Sequence, residues 1–212
     1  MLFVKKIISY LYPVTVAKIN SRITPGLEVR IENGKHVLNA QHSNYSFGTL
    51  HRVMLQSISA ITIANNAHVL ILGMGGGSAI SILHNLNKHF KIDAIEIDKA
   101  VIKTASNFFG VSSNKNLHII EADAFLFVES CNKIYNLIII DLFIDDEVPD
   151  AVFTKEFLFN CKKILADGGT IILNASIPNK PFVKANDELI TEVFDNVISK
   201  IVNGNLVYFL EN

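Results

Sequence analysis

Asp141 follows the aliphatic run Leu137-Ile138-Ile139-Ile140, a place where packing alone poorly explains a carboxylate. Two more acidic residues, Glu96 and Asp123, stand after similar runs, and Gly73, Gly75, Gly76 and Gly77 fill four of the five positions that follow a third. Each residue type suits one task at a nucleoside. The glycines let the main chain turn sharply and come close to a ligand, and a helix starting near Ser78 offers free N–H groups at its first turn. Glu96 lies about 20 positions past the glycines, the interval at which nucleotide-binding βαβ units set a carboxylate on the ribose hydroxyls. Such bonds are charge-assisted and therefore strong. Glu96 is taken for this task as the last polar residue pointing out of its strand, and Asp98 for the cap of the next helix. Asp123 can accept a hydrogen bond from an adenine amino group, cap a helix, or do both. The dinucleotide pattern G-x-G-x-x-G needs glycine where this chain has Ser78, which weighs against a pyrophosphate ligand. Asp141 is expected to face the crevice beyond the carboxyl ends of parallel strands, where open α/β sheets bind ligands. Beyond it, Asp145-Asp146-Glu147 and Asp150 form an acidic stretch. It reads as a mouth for a cationic amine or as a solvated loop, the loop being preferred for Asp146, Glu147 and Asp150.

The elements that must position these residues show in the periodicity. Strands are predicted at 68–73, 91–97, 117–121, 135–141 and 169–174, as nearly continuous Ile, Leu and Val runs of the kind covered by helices on both faces. Helices are predicted near 78–89, 99–109, 123–131, 154–165 and 183–194. The chain closes with 197–202 and 206–210 around Asn203-Gly204-Asn205, an antiparallel hairpin. Five βα repeats and a terminal hairpin resemble in their order an α/β, Rossmann-like class I methyltransferase fold, so a mostly parallel seven-stranded sheet is expected over 66–212. Residues 1–65 read as an N-terminal extension. In it, apolar alternation around Asn33-Gly34 marks a hairpin of 27–32 and 35–39. Residues 44–48 read as a loop, and a helix is expected over 49–64.

Composition narrows the field. The net charge is −1 and there is no basic run, which argues against a nucleic-acid partner. Cys131 and Cys161 lack metal-ligand spacing and read as core thiols of a cytoplasmic protein, with no metal expected. The apolar N-terminal stretch of residues 1–14 is too short to span a bilayer, and a short helix or strand docked on the domain is preferred to a membrane contact.

Taken together, these segments resemble the spermidine synthase family over most of 26–212. The similarity is carried by Val69 to Ile80, Ala94 to Val101, Ile119 to Val128, and above all the stretch from Tyr135 to Asn174 with its Phe153-Thr154-Lys155-Glu156-Phe157 segment. The resemblance implies an aminopropyltransferase that binds decarboxylated S-adenosylmethionine and acts on a small-molecule amine. By that resemblance Glu96 binds ribose, with Ile97 beside it among the cofactor-binding residues, Asp123 and Ala124 bind adenine, and Asp141 is the general base. Tyr45, His51 and Asp145 fall on the acceptor side. The chain departs from the family where an amine-gripping Asp is usual and Gly76 stands, and where a second Asp is usual and Ile144 stands. A methyltransferase using intact S-adenosylmethionine therefore remains an alternative, and a non-catalytic nucleoside-binding protein a third. A homodimer is left open.

Overall fold

The computed structural model describes the chain apart from Met1, Arg22, His42, Ser43, Phe47, Asn87, Lys88, Asp145, Asp146 and 176–179, and apart from the side chains of Leu2, 44–46, Thr49 and 180–184. Two sheets are present. The larger holds β5 (His68–Leu72), β6 (Lys91–Glu96), β7 (Leu117–Glu121), β8 (Tyr135–Ile140), β9 (Leu165–Asn174), β10 (Asn196–Val202) and β11 (Asn205–Glu211). Its strand order is β10-β11-β9-β8-β5-β6-β7, parallel from β9 to β7 and closed by antiparallel β11 and β10. This is the expected seven-stranded α/β arrangement with its terminal hairpin.

Alternation along each central strand builds two cores. Val69 and Ile71 of β5, with Leu137 and Ile139 of β8, face one side. Leu70 and Leu72, with Ile138 and Ile140, face the other. The first face is covered by α2 (Gly48–Ser59) and α3 (Ser78–Asn85), and joined by α4 (Lys99–Phe109) through Ala105. The second is covered by α5 (Ala124–Ser130), α6 (Lys155–Lys163) and α7 (Lys180–Val193). A short 3-10 helix, Asp150–Phe153, leads into α6 and buries Val152 and Phe153. Cys161 is a core thiol, as expected, whereas Cys131 is half-buried at the end of α5.

On the second face β6 buries a carboxylate, Asp93, which accepts hydrogen bonds from Tyr135 Oη at 2.8 Å and Lys133 Nζ at 2.9 Å, with His118 Nδ1 3.2 Å away. Burial pushes Asp93 up, but these partners outweigh it and hold the group below the usual carboxylate range.

The smaller sheet contains more than the predicted hairpin. β1 (Val14–Lys18), β2 (Glu28–Glu32), β3 (Lys35–Asn39) and β4 (Asn44–Ser46) run antiparallel in sequence order, so part of the predicted 44–48 loop is a strand. The Asn33-Gly34 turn is as expected, with both residues in the left-handed region. α1 (Leu2–Ile8) docks on that turn: Ser9 O accepts from Asn33 N and Ser9 Oγ from Gly34 N. The predicted 49–64 helix ends at Ser59, and its Val53, Met54 and Ile58 belong to the first-face core of the large sheet. Among the described residues no helix is long and apolar enough to cross a membrane.

Candidate functional site

β5 is central in the sheet and first among its strands in sequence. The chain moves from it to β6 and β7 on one side and then crosses to β8 on the other. The two neighbouring strands β5 and β8 therefore send their exits in opposite directions and leave a crevice between them, the switch point at which open α/β sheets bind ligands. Both the glycine turn and Asp141 lie there.

Gly73 makes this junction possible. Its φ is +85°, and a Cβ on it would meet the carbonyl oxygen of Asp141 at 2.3 Å. The β8 exit is held against β5 by Asp141 N donating to Leu72 O at 2.9 Å. The other glycines divide between packing and the crevice. Gly77, the αL residue before α3, has Val111 where a side chain would go, and it supplies no side-chain cap to the helix. Gly75 (φ 53°) donates its N–H to Glu96 Oε2 at 2.9 Å, and Gly76 lies outside the left-handed region.

Glu96 differs from the expected picture. It does not point out of its strand but is buried under the glycine turn, only 5% exposed. Its Oε1 accepts from Asp98 N at 3.0 Å while Oε2 holds Gly75 N. Burial raises its pKa against the pull of these backbone bonds, and neighbouring Asp98 raises it further. Ile97, the next residue, is 49% exposed and gives the β6 exit an apolar ledge. Asp98 caps α4 as expected, accepting from Ala100 N at 2.8 Å, and also takes a hydrogen bond from Ser21 Oγ of the N-terminal segment. Asp123 caps α5 through Oδ1, which accepts from Phe125 N and Leu126 N. Ala124 begins that helix and is buried.

The carboxyl ends of β8, β5, β6 and β7 thus present, side by side, Asp141, the glycine turn, Glu96 with Ile97, and Asp123. Three strand spacings separate the outer two, about 14 Å, which suits an extended nucleoside with a substituent on its 5′ carbon.

At one end of the row sits Asp141, whose Oδ1 accepts from Asn174 Nδ2 at 2.8 Å. Burial pushes its carboxyl up to about 6, with the Asn174 bond pulling the other way. Asn174 was not singled out from the sequence, nor was Asn205, which donates to Asn174 Oδ1 at 2.8 Å. The signal was there for the first: Asn174 is a polar residue ending the aliphatic run Ile171-Ile172-Leu173, by the same logic that selects Asp141.

The acceptor-side residues are less well defined. His51 lies on α2, half-buried, and burial, then the charge of Lys35, lower its imidazole below the usual range. Tyr45 belongs to β4 but its side chain is outside the described residues, as is Asp145 altogether.

Known proteins are similar to this chain in sequence and in fold. The chain is 30% identical over 149 residues to a polyamine aminopropyltransferase of Clostridium beijerinckii, a match covering 66% of this chain and 52% of that protein. A Vibrio vulnificus relative of the same name is matched over 38% of its length, so the chain spans about half, or less, of these curated relatives. By fold it is similar to a probable spermidine synthase from Corynebacterium glutamicum, with a TM-score of 0.70 at 20% identity, covering 93% of this chain and 79% of that one. It is also similar to human methyltransferase-like protein 13 in complex with SAH, with a TM-score of 0.68 at 23% identity over 77% of this chain and 82% of that one. The family model described as the spermine/spermidine synthase domain matches residues 49–205, three quarters of the sequence, and the chain belongs to that family.

Proposed function

We propose that this chain transfers an aminopropyl group from decarboxylated S-adenosylmethionine to a small-molecule amine, with Asp141 as the proton acceptor. The observation that carries this reading is the seat of Asp141 at the switch point, against the glycine turn and with one oxygen held by Asn174.

The residues fit an adenosyl ligand. Of the four lone pairs on the Glu96 carboxylate, the backbone N–H groups of Gly75, Asp98 and Ile97 take three, which leaves one to accept from a ribose hydroxyl. Exposed Ile97 offers the base an apolar face. Asp123 uses Oδ1 for its helix cap, which leaves Oδ2 for an exocyclic amino group. The turn at Gly75 and Gly76 puts no side chain in the ligand's path. When bound, the sulfonium supplies a carbon whose leaving group is already activated. What the chain must add is alignment of the two reactants and a place for a proton. An aliphatic amine resembles lysine and reaches the site as an ammonium. Asp141, its carboxyl raised to about 6 and so still largely ionised at pH 7, attracts that ammonium. It takes the proton as the new N–C bond forms and the C–S electron pair passes to sulfur.

The test is an amine-dependent assay with a diamine such as putrescine, following release of the thioether nucleoside, beside calorimetric titrations with the intact and decarboxylated donors. Asp141→Asn should lower kcat by about 10²–10⁴-fold while donor affinity stays within a few-fold. Tighter binding of the intact donor together with methyl transfer to an acceptor would refute aminopropyl transfer. Turnover unchanged in Asp141→Asn would refute the role given to that residue.

A further inference from the structure

Two asparagines run in a line from the terminal hairpin to Asp141. Asn174 ends β9 and is fully buried, and Asn205 begins β11 and is half-buried. β9 and β11 pair antiparallel with Val207 opposite Asn174, so Asn205, two residues away on the same face, is the diagonal neighbour of Asn174. The register is fixed nearby by Ala175 N donating to Leu206 O at 2.9 Å, and by the Asn203-Gly204 turn, both of whose residues are left-handed.

The order of donors and acceptors along this line matters. A primary amide has a donor end and an acceptor end. Asn205 Nδ2 occupies the acceptor end of Asn174, which turns the donor end of Asn174 toward Asp141 Oδ1. Reversed, Asn174 would face Asp141 with its carbonyl oxygen, an arrangement that suits only a protonated carboxyl. The direction of one buried amide therefore selects the charge state of the next group and occupies one of its two oxygens.

We infer that Asn205 is a positioning residue which, acting through Asn174, keeps Asp141 ionised with Oδ2 as the oxygen left for the acceptor amine. The inference rests on the reading of Asp141 as the proton acceptor. It assigns to the closing hairpin, which lies outside the βα repeats, a share in the reaction.

The experiment measures the titration of Asp141 directly, by the carbon-13 shift of its carboxyl in the aspartate-labelled chain, alongside the pH profile of kcat. Both are recorded for the parent chain, Asn205→Ala and Asn205→Asp. In Asn205→Ala the Asp141 midpoint should move up by at least about half a pH unit, a threefold change in its ionisation constant. The acid limb of kcat should follow it, with KM little changed. Asn205→Asp, which when ionised can only accept, should move the midpoint further in the same direction. A midpoint unmoved in both variants, with the fold intact by amide chemical shifts, overturns the inference. If the carboxyl titration moves while the kcat profile stays in place, the relay stands and the proton-acceptor reading of Asp141 is what fails.

Discussion

Gly73→Ala is the change whose cost can be worked most fully from the structure. Two effects add. An L-residue at φ +85° costs about 1–2 kcal/mol relative to glycine. The new methyl group would also stand 2.3 Å from the Asp141 carbonyl oxygen and 2.9 Å from its carbon, both of them backbone atoms. Ordinary contact begins near 3.4 Å, so the β8 exit must retreat by roughly an ångström. That stretches the Asp141 N to Leu72 O hydrogen bond from 2.9 Å beyond useful length, a further loss of about 1 kcal/mol. The expected total is about 2–3 kcal/mol. Gly110→Ala isolates the first effect, because Gly110 is also left-handed, at φ +69°, but a Cβ there meets nothing within 4 Å; its cost should be about 1 kcal/mol. Urea unfolding followed by circular dichroism compares the two. With a slope of about 2–3 kcal/mol per molar, the Gly73→Ala midpoint should fall by about 1 M and the Gly110→Ala midpoint by less than half that. Turnover should fall about 10²-fold in Gly73→Ala even at low denaturant, since an ångström of misplacement at a reacting group costs that much. Equal midpoint shifts in the two variants would refute the reasoning, because they would mean that the β8 exit does not lean on Gly73.

Asp141→Asn should stabilise the fold at pH 8 while removing turnover. A carboxyl raised to about 6 binds its proton more tightly folded than unfolded, so stability falls as pH rises from about 4 to about 6 and stays lower above that. The gain should therefore reach roughly 1–3 kcal/mol at pH 8 and vanish at pH 4, read as melting temperature against pH. Asp123→Ser should keep the α5 cap, and hence stability within about 0.5 kcal/mol, but weaken donor binding in calorimetry. Asp123→Ala should lose both, the cap being worth about 1 kcal/mol. Tyr135→Phe removes a hydrogen bond to the buried Asp93 carboxylate, at a cost of about 1.5–3 kcal/mol in urea unfolding. Asp93 is held below its unfolded value, so its contribution is present above that value and lost as pH falls through the folded one. Lys133→Ala should accordingly bring acid unfolding to a higher pH.

The parallel part of the fold was legible because each strand is apolar on both faces and each helix follows one with its own period. Where prediction and structure part, a distant partner decides the outcome. β9 begins at Leu165 rather than 169, because Leu165 pairs with Tyr135 across a register shift that nothing local announces. β1 and β4 were missed for the same reason. The first is partly exposed and the second only three residues long, and both exist as partners of the legible hairpin. At the site, a strand-end glutamate reads from the sequence as open to solvent. Its burial follows from the glycine turn, 21 residues earlier, folding back over it. Asp98 was read correctly as a cap, and capping was one of the two tasks open to Asp123, because capping is local, satisfied within two or three residues.

The glycine turn is better understood as a junction than as a cradle alone. Gly73 admits the β8 exit, Gly77 admits Val111, and the Gly75 amide is engaged by Glu96. From there a chain of polar contacts runs through Glu96 to Asp98 and on to Ser21 of the N-terminal segment. On the other side of the crevice a second chain runs from Asp141 through Asn174 to Asn205 of the terminal hairpin. The crevice floor is thus tied at both ends to elements outside the βα repeats. Groups aimed at developing charge are effective to the extent that they are fixed beforehand and do not reorganise during reaction. The repeats alone supply the switch point and the row of strand ends. The N-terminal segment bonds Asp98, whose N–H holds Glu96, and the closing hairpin bonds Asn174, whose amide holds Asp141, so each reaches a strand-end carboxylate through one intermediary.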